Sequence, residues 1–269
     1  MANKRTRERQ LAKLAARRQA ERASQIRRRN RLVAGAAGIV AAALVATAGF
    51  AFIGGKEPAA SPTPTPSATT TPEPSVACRG KVPKAASKPK PSFKKAPKLT
   101  VDEQATYTAT MVTSCGTIVI ELDVNNAPET VNSFVFLAGK HFYDGLTFHR
   151  IDPSISIIQG GDPVGDGSGG PGYSIPDELT GEESYVPGTL AMANAGPDTG
   201  GSQFFFVYGP NGEANLSPNY TIFGHVTEGL DVLKKISKIP TVDPNATAPG
   251  PGQAPSKTVY IESVTVEES

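Results

Sequence analysis

The sequence has no tryptophan, two cysteines, three methionines and three histidines in 269 residues. Two cysteines are too few for a disulfide scaffold, and no C-x-x-C pair exists to start a thiolate zinc site. His141, His149 and His225 do not stand at metal-ligand spacing, so no metal is expected. There is no G-x-S-x-G, no G-x-x-x-x-G-K-[ST], and no G-x-G-x-x-G that opens a helix after a strand. Serine hydrolases, P-loop enzymes and dinucleotide oxidoreductases therefore lack their usual signatures, and no cofactor is implied. Glycine and proline are plentiful instead, at 27 and 24 residues. That share, about a fifth, exceeds ordinary usage but falls short of the roughly 25–30% of a wholly disordered chain.

The formal charge of +2 is an average over unlike segments. Residues 1–31 carry twelve Lys/Arg against Glu8 and Glu21, and residues 32–55 carry no charge. Residues 56–98 carry nine basic side chains against Glu57 and Glu73. From Leu99 onward six basic side chains face 21 acidic ones, a net −15. Such asymmetry assigns the segments to different surroundings. A body this acidic repels phosphate, so no nucleic-acid partner is expected.

Residues 32–53, LVAGAAGIVAAALVATAGFAFI, run 22 positions without a charge. As a helix they would reach about 33 Å, enough for a hydrocarbon core of roughly 30 Å. RRRNR precedes them at residues 27–31. The positive-inside rule then keeps the amino end cytoplasmic and exports the chain beyond residue 55. The reading is a single-pass anchor at 32–55 in contact with membrane lipid, after a basic cytoplasmic segment at 1–31. A cleaved signal peptide is the alternative, because Ala46-Thr47-Ala48 has the A-x-A form. Residues 56–98, with ten prolines, read as a disordered linker, since proline at that density blocks helix and sheet.

Residues 99–269 read as one folded domain of a size that needs no staple. Short apolar or alternating runs recur: ATYTATMVT, TIVIELDV, LTFHRI, ISIIQ, TLAMAN, SQFFFVY, YTIFGHV and TVYIESVTVE. Gly, Pro, Asn and Asp clusters separate them, as strand signals require. Two segments have helical spacing, 126–140 with Asn126 as cap and 227–239 with Thr227 as cap. The fold expected is mainly β: a closed eight-stranded antiparallel barrel capped by two α-helices. In an exported domain, Cys78 and Cys115 would sit in an oxidising space, where an even count favours a disulfide.

The chemistry-bearing residues cluster at glycine-flanked strand ends. Arg150 lies in an apolar strand, where a structural ion pair would also account for it. Gln159 and Gln203 could equally be satisfied polar groups of a barrel. Phe204, Phe205 and Phe206 are consecutive, so at least one faces away from its neighbours. Such a site has no nucleophile, and could grip a peptide and alter it without a covalent intermediate.

In order and spacing, FHR (148–150), QGGD (159–162), MANAG (192–196), GSQFF (201–205) and IFG (222–224) resemble the cyclophilin family of peptidyl-prolyl cis-trans isomerases. The resemblance covers about residues 106–268. GSGGPGY and IPDE look like the bacterial version, and the anchor and linker resemble membrane-tethered actinobacterial members. The resemblance implies rotation about Xaa-Pro bonds of polypeptide substrates that are exported or in the envelope, by a monomeric domain. It implies Arg150 and Gln159 as catalytic residues and His149 as a structural hydrogen-bonding neighbour. Phe148, Ile157, Met192, Ala193, Asn194, Gln203, Phe205, Leu216 and Tyr220 would contact substrate. A proline-peptide binding module with little turnover is the alternative. Three departures stand out. SISIIQ after Pro153 is one residue longer than the family spacing and lacks the pocket phenylalanine, for which Ile157 or Ile155 substitutes. Asn215 precedes Leu216 where many members carry tryptophan, and Tyr220 stands where they carry histidine.

Overall fold

The computed structural model describes residues 75–269. The basic segment 1–31, the anchor expected at 32–55 and the linker up to residue 74 lie outside the described residues. Among the described residues no helix is long and apolar enough to cross a membrane.

β1 (Tyr107–Thr113) and β2 (Gly116–Leu122) form the first hairpin, paired from Tyr107 opposite Leu122 to Thr113 opposite Gly116. Tyr107, Ala109, Met111 and Thr113 are buried while the residues between them are half-buried. That period of two is what a sheet with one face in the core imposes. The other strands are β3 (Thr147–Phe148), β4 (Arg150–Asp152), β5 (Ile157–Gly160), β6 (Thr189–Met192), β7 (Phe204–Val207), β8 (Ile222–Glu228) and β9 (Val259–Glu268). They lie in the order β3-β9-β1-β2-β8-β6-β7-β5-β4. β3 and β4 occupy the two ends of this order, yet only His149 separates them in the chain. The kinked segment 147–152 therefore stitches the edges together and nearly closes the barrel. Counted as one bent strand, it gives the eight expected, and closure leaves little edge open to pairing.

Among the described residues three α-helices accompany the barrel: α1 (Pro128–Gly139), α2 (Asn211–Asn215) and α3 (Leu230–Ile236). The short α2 has no counterpart among the two helices expected from sequence. α1 buries Val131, Phe134, Leu137 and Ala138. Phe134 meets Tyr143 at 5.0 Å, Phe223 at 5.4 Å and Phe204 at 6.0 Å between ring centroids, within the range of favourable aromatic packing. The caps differ from those expected. Asn126 turns its side chain to Asp123, and Ala127 is the cap residue before Pro128. The amides of Glu129 and Thr130 instead donate to the Glu178 carboxylate, each at 2.9 Å. A distant anion thus satisfies orphan donors at the positive end of the helix dipole. α3 begins after Gly229, whose left-handed φ of 90° explains why this position, and not Thr227, makes the turn.

Residues 75–98, expected from sequence as disordered linker, form an ordered strap on the domain. Cys78 and Cys115 are joined in a disulfide. Val76 bridges to Thr258, and Lys90 donates to the carbonyls of Ala85 and Asp144. The Phe93 ring meets Phe136 edge-on at 4.9 Å. Proline bars this segment from helix and sheet. It does not bar an extended strap held by a covalent bridge and side-chain contacts.

Candidate active site

The site lies on the outer face of four neighbouring strands, and their register composes it. Arg150 of β4 stands opposite Gln159 of β5, which stands opposite Phe205 of β7, which stands opposite Ala191 of β6. One row across the sheet thus runs cation, amide, aromatic ring, methyl group, over about 14 Å at a strand spacing near 4.8 Å. The next row is Asp152, Ile157, Val207. Period-two alternation sorts the three phenylalanines. Phe204 and Phe206 join the barrel core, whereas Phe205 joins a separate outer cluster with Ile157, Tyr185, Ala191 and Val207. Ile155, Ala193, Leu216 and Tyr220 pack against that cluster.

Arg150 is held from three sides. Its Nε donates to Gln253 Oε1 at 2.7 Å, one terminal nitrogen to Gln159 Oε1 at 3.0 Å, and the other to Asp152 Oδ2 at 2.6 Å. A guanidinium has five donors, so two remain for a ligand. Gln159 passes the order onward: its Nε2 donates to Gln203 Oε1 at 2.9 Å. Gln203 in turn donates to the carbonyls of Gly167 and Gly169. The amides behind the arginine are fixed in one orientation by this relay.

Burial works against the charge of Asp152. Hydrogen bonds from Ser154 and the Arg150 guanidinium outweigh it and hold the carboxyl below its usual range. Burial lowers the His149 pKa, with Asp162 opposing and Arg150 reinforcing. The Tyr185 phenol, pushed up to about 12 chiefly by burial, donates to Tyr220 O and accepts from Tyr220 N, both at 3.0 Å. It thereby fixes the segment that carries the Tyr220 ring. That ring meets Phe205 edge-on at 5.3 Å.

A cavity of about 890 Å³ opens over this face, lined by Arg150, Ile157, Gln159, Phe205, Leu216 and Tyr220 among others. A second hollow of about 530 Å³ adjoins it through Gln159, Ala193 and Asn194, with Gln203 in its wall. Ile155 and Ile157 both line the larger cavity, so the two candidates for the missing phenylalanine share the wall.

Three expectations are corrected. Phe148 is 1% exposed and packs on Phe204 and Phe206 inside the barrel, so it is core and not a substrate contact. Met192, 3% exposed, belongs to the same interior cluster, because alternation along β6 turns it inward while Ala191 and Ala193 face out. The His149 ring nitrogens have no hydrogen-bond partner; its main-chain N–H donates to Gln159 O at 3.0 Å instead. Asp152 and Gln253 were not among the residues expected from sequence. Asp152 was legible as an acid two residues along the strand from Arg150. Gln253, 103 residues away in a Pro/Gly-rich loop, offered no signal.

A nearly closed antiparallel barrel with a clamped arginine beside an apolar hollow defines a β-barrel protein with a peptide-sized surface groove. Its family is given by comparison with known proteins. The family described as "Cyclophilin type peptidyl-prolyl cis-trans isomerase/CLD" matches residues 108–266, and the chain belongs to it. Among relatives, "Probable peptidyl-prolyl cis-trans isomerase B" of Mycobacterium tuberculosis is 40% identical over 180 residues, covering 61% of this chain and 56% of that one. The chain thus spans little more than half the length of that relative. "Peptidyl-prolyl cis-trans isomerase B" of Bacillus subtilis is 50% identical over 121 residues, covering 45% of this chain and 82% of that one. A crystal structure of a Cryptosporidium parvum cyclophilin type isomerase, obtained in the presence of the dipeptide Ala-Pro, matches with a TM-score of 0.52 at 28% identity. It covers 60% of this chain and 99% of that one.

Proposed function

We propose that the described domain catalyses cis–trans rotation about Xaa-Pro bonds in polypeptides. The carrying observation is the strand row that sets a three-point-clamped Arg150 beside the Phe205 ring. The uncatalysed barrier is about 18–20 kcal/mol because rotation breaks amide resonance. In the twisted state the proline nitrogen regains its lone pair and can accept a hydrogen bond. A planar amide nitrogen cannot. A fixed guanidinium donor aimed there favours the twisted state over both planar ones, and that difference is the catalysis. Phe205, Ile157 and Leu216 offer the proline ring an apolar seat, and Ala193–Asn194, just past the end of β6, line both hollows where the peptide backbone would run. The clamp removes the rotamer freedom that would otherwise be lost at each turnover. The site is composed within one chain, which supports action as a monomer.

The same proposal places the domain outside the cytoplasmic membrane, tethered through residues 32–53, for work on exported or envelope proteins. The 22-residue uncharged run, the basic residues before it and the Cys78–Cys115 disulfide support this, since such bridges persist in oxidising compartments. Two experiments test the reading. Exchange spectroscopy on a short Xaa-Pro peptide with the full chain should show accelerated interconversion. Binding without acceleration would leave a peptide-binding module. In fractionated cells the protein should pellet with membranes and be open to external protease; recovery in the cytosolic fraction would sink the tether.

A further inference from the structure

The segment after α3 returns to β9 through a long loop, residues 240–256, that closes on itself. Val242 N donates to Ala254 O, Asp243 N to Gly252 O, and Ser256 N to Pro240 O, at 2.8–2.9 Å. From this frame Gln253 reaches inward and is only 3% exposed. Its Oε1 accepts from Arg150 Nε at 2.7 Å, and its Nε2 donates to Asp152 Oδ2 at 3.1 Å and, more weakly, to Ala246 O at 3.4 Å. One amide therefore stands between a cation that only donates and a carboxylate that only accepts. A flipped amide would set N–H against N–H and oxygen against oxygen, so the orientation is fixed by its neighbours. Among side chains of this length, only glutamine offers both functions at every pH. Val242, Pro251 and Ala254 of the same loop line the larger cavity, so the frame that holds Gln253 also borders the substrate.

We propose that Gln253 is a positioning residue for catalysis: it fixes the roll of the Arg150 guanidinium, so that the two donors left over face the twisted proline nitrogen. This rests on the isomerase reading above. Gln159 and Asp152 each grip a terminal nitrogen; Gln253 alone grips Nε and completes the three contacts that set the plane about the Cδ–Nε bond. Loss of that grip lowers turnover more than binding, because an arginine misaligned by about 1 Å still contacts a planar proline peptide.

The test uses the full chain and two variants, with folding checked by circular dichroism. Gln253→Leu keeps the bulk and removes both hydrogen bonds. Its kcat/KM should fall roughly 10–100-fold, mostly in kcat, while affinity for a proline peptide changes less than about threefold. Gln253→Glu supplies a group that matches both neighbours only when protonated, since the ionised form confronts Asp152. Arg150 and Asp152 face this position directly, with Asp243 on the same loop and Tyr208 beside Asp152. The Gln253→Glu to wild-type activity ratio should therefore rise as pH falls from 8 to 5. A purely structural role gives no such pH-dependent rescue. Wild-type kcat/KM in Gln253→Leu, or a flat ratio in folded Gln253→Glu, overturns the inference. Where Gln253→Leu does not fold, the pH ratio alone decides. An inactive wild-type chain would sink the isomerase reading instead.

Discussion

Arg150 owes its role to its surroundings more than to its charge. A lone arginine in an apolar strand reads equally as half of an ion pair, and the structure does pair it, with Asp152 at 2.6 Å. The pair supports the site and does not compete with it, because two guanidinium donors remain. The depressed Asp152 carboxyl stabilises the fold above its ordinary pKa of 3.8, and that contribution is lost only as pH falls through the lower folded value. Activity should accordingly stay level from pH 8 to 5; a fall centred in that window would show that the clamp titrates. His149 has the opposite habit. Its folded pKa is lowered from 6.5, so the unfolded chain takes up a proton first and stability declines as pH drops below 6.5. In His149→Asn the decline in melting temperature between pH 6.5 and 5 should be shallower than in wild type. Phe205→Ala removes the ring at the cavity floor and should weaken proline-peptide binding by about tenfold or more, at roughly 25 cal/mol per Å² of apolar surface left uncovered. Unchanged affinity in a titration would place the proline elsewhere.

At the scale of elements, strands and helices were legible in the sequence because period-two and helical spacings are local. Features that are not local escaped it. The Glu178 cap on α1, the Gln253 grip and the ordering of residues 79–98 all join residues far apart in the chain, and composition carries no trace of such partners. The Cys78–Cys115 bridge is the exception, because the even cysteine count points to it. Phe148 and Met192 were misassigned for a related reason: a motif names a segment, and only the register decides which face a residue joins. The row of Arg150, Gln159, Phe205 and Ala191 shows the reverse, since three of the four lie in family motifs and pairing alone made them neighbours. The strap yields a measurable consequence. Its disulfide closes a segment with a sequence separation of 37, worth about 3–4 kcal/mol in the chain-entropy account. Reduction, or Cys78→Ser, should lower the melting temperature by roughly 5–15 °C. Protease should then cut within residues 75–98 before it cuts the barrel. No change in either measurement would mean that noncovalent contacts such as those of Val76, Lys90 and Phe93 suffice to hold the strap.

At the scale of the whole molecule, charge divides by segment. The net −15 from Leu99 onward belongs to the barrel, while the strap against it carries Arg79 and seven lysines with no acidic residue. The two end strands of the sheet meet through the chain at His149, so the closing seam of the barrel lies beside the arginine that the site depends on. A groove built on the closing strands is held by the entire sheet, which suits a reaction that needs a donor fixed in place and no cofactor to carry electrons or groups. The central claim, that a clamped Arg150 stabilises the twisted Xaa-Pro bond, is open to one direct measurement. Protease-coupled isomerisation of a short Xaa-Pro peptide should be accelerated by the full chain. It should fall about 10²–10³-fold in Arg150→Ala, the usual cost of losing one preorganised donor, and Arg150→Lys should recover little because lysine lacks the planar fork. Wild-type turnover in Arg150→Ala, with the fold intact, would contradict the account.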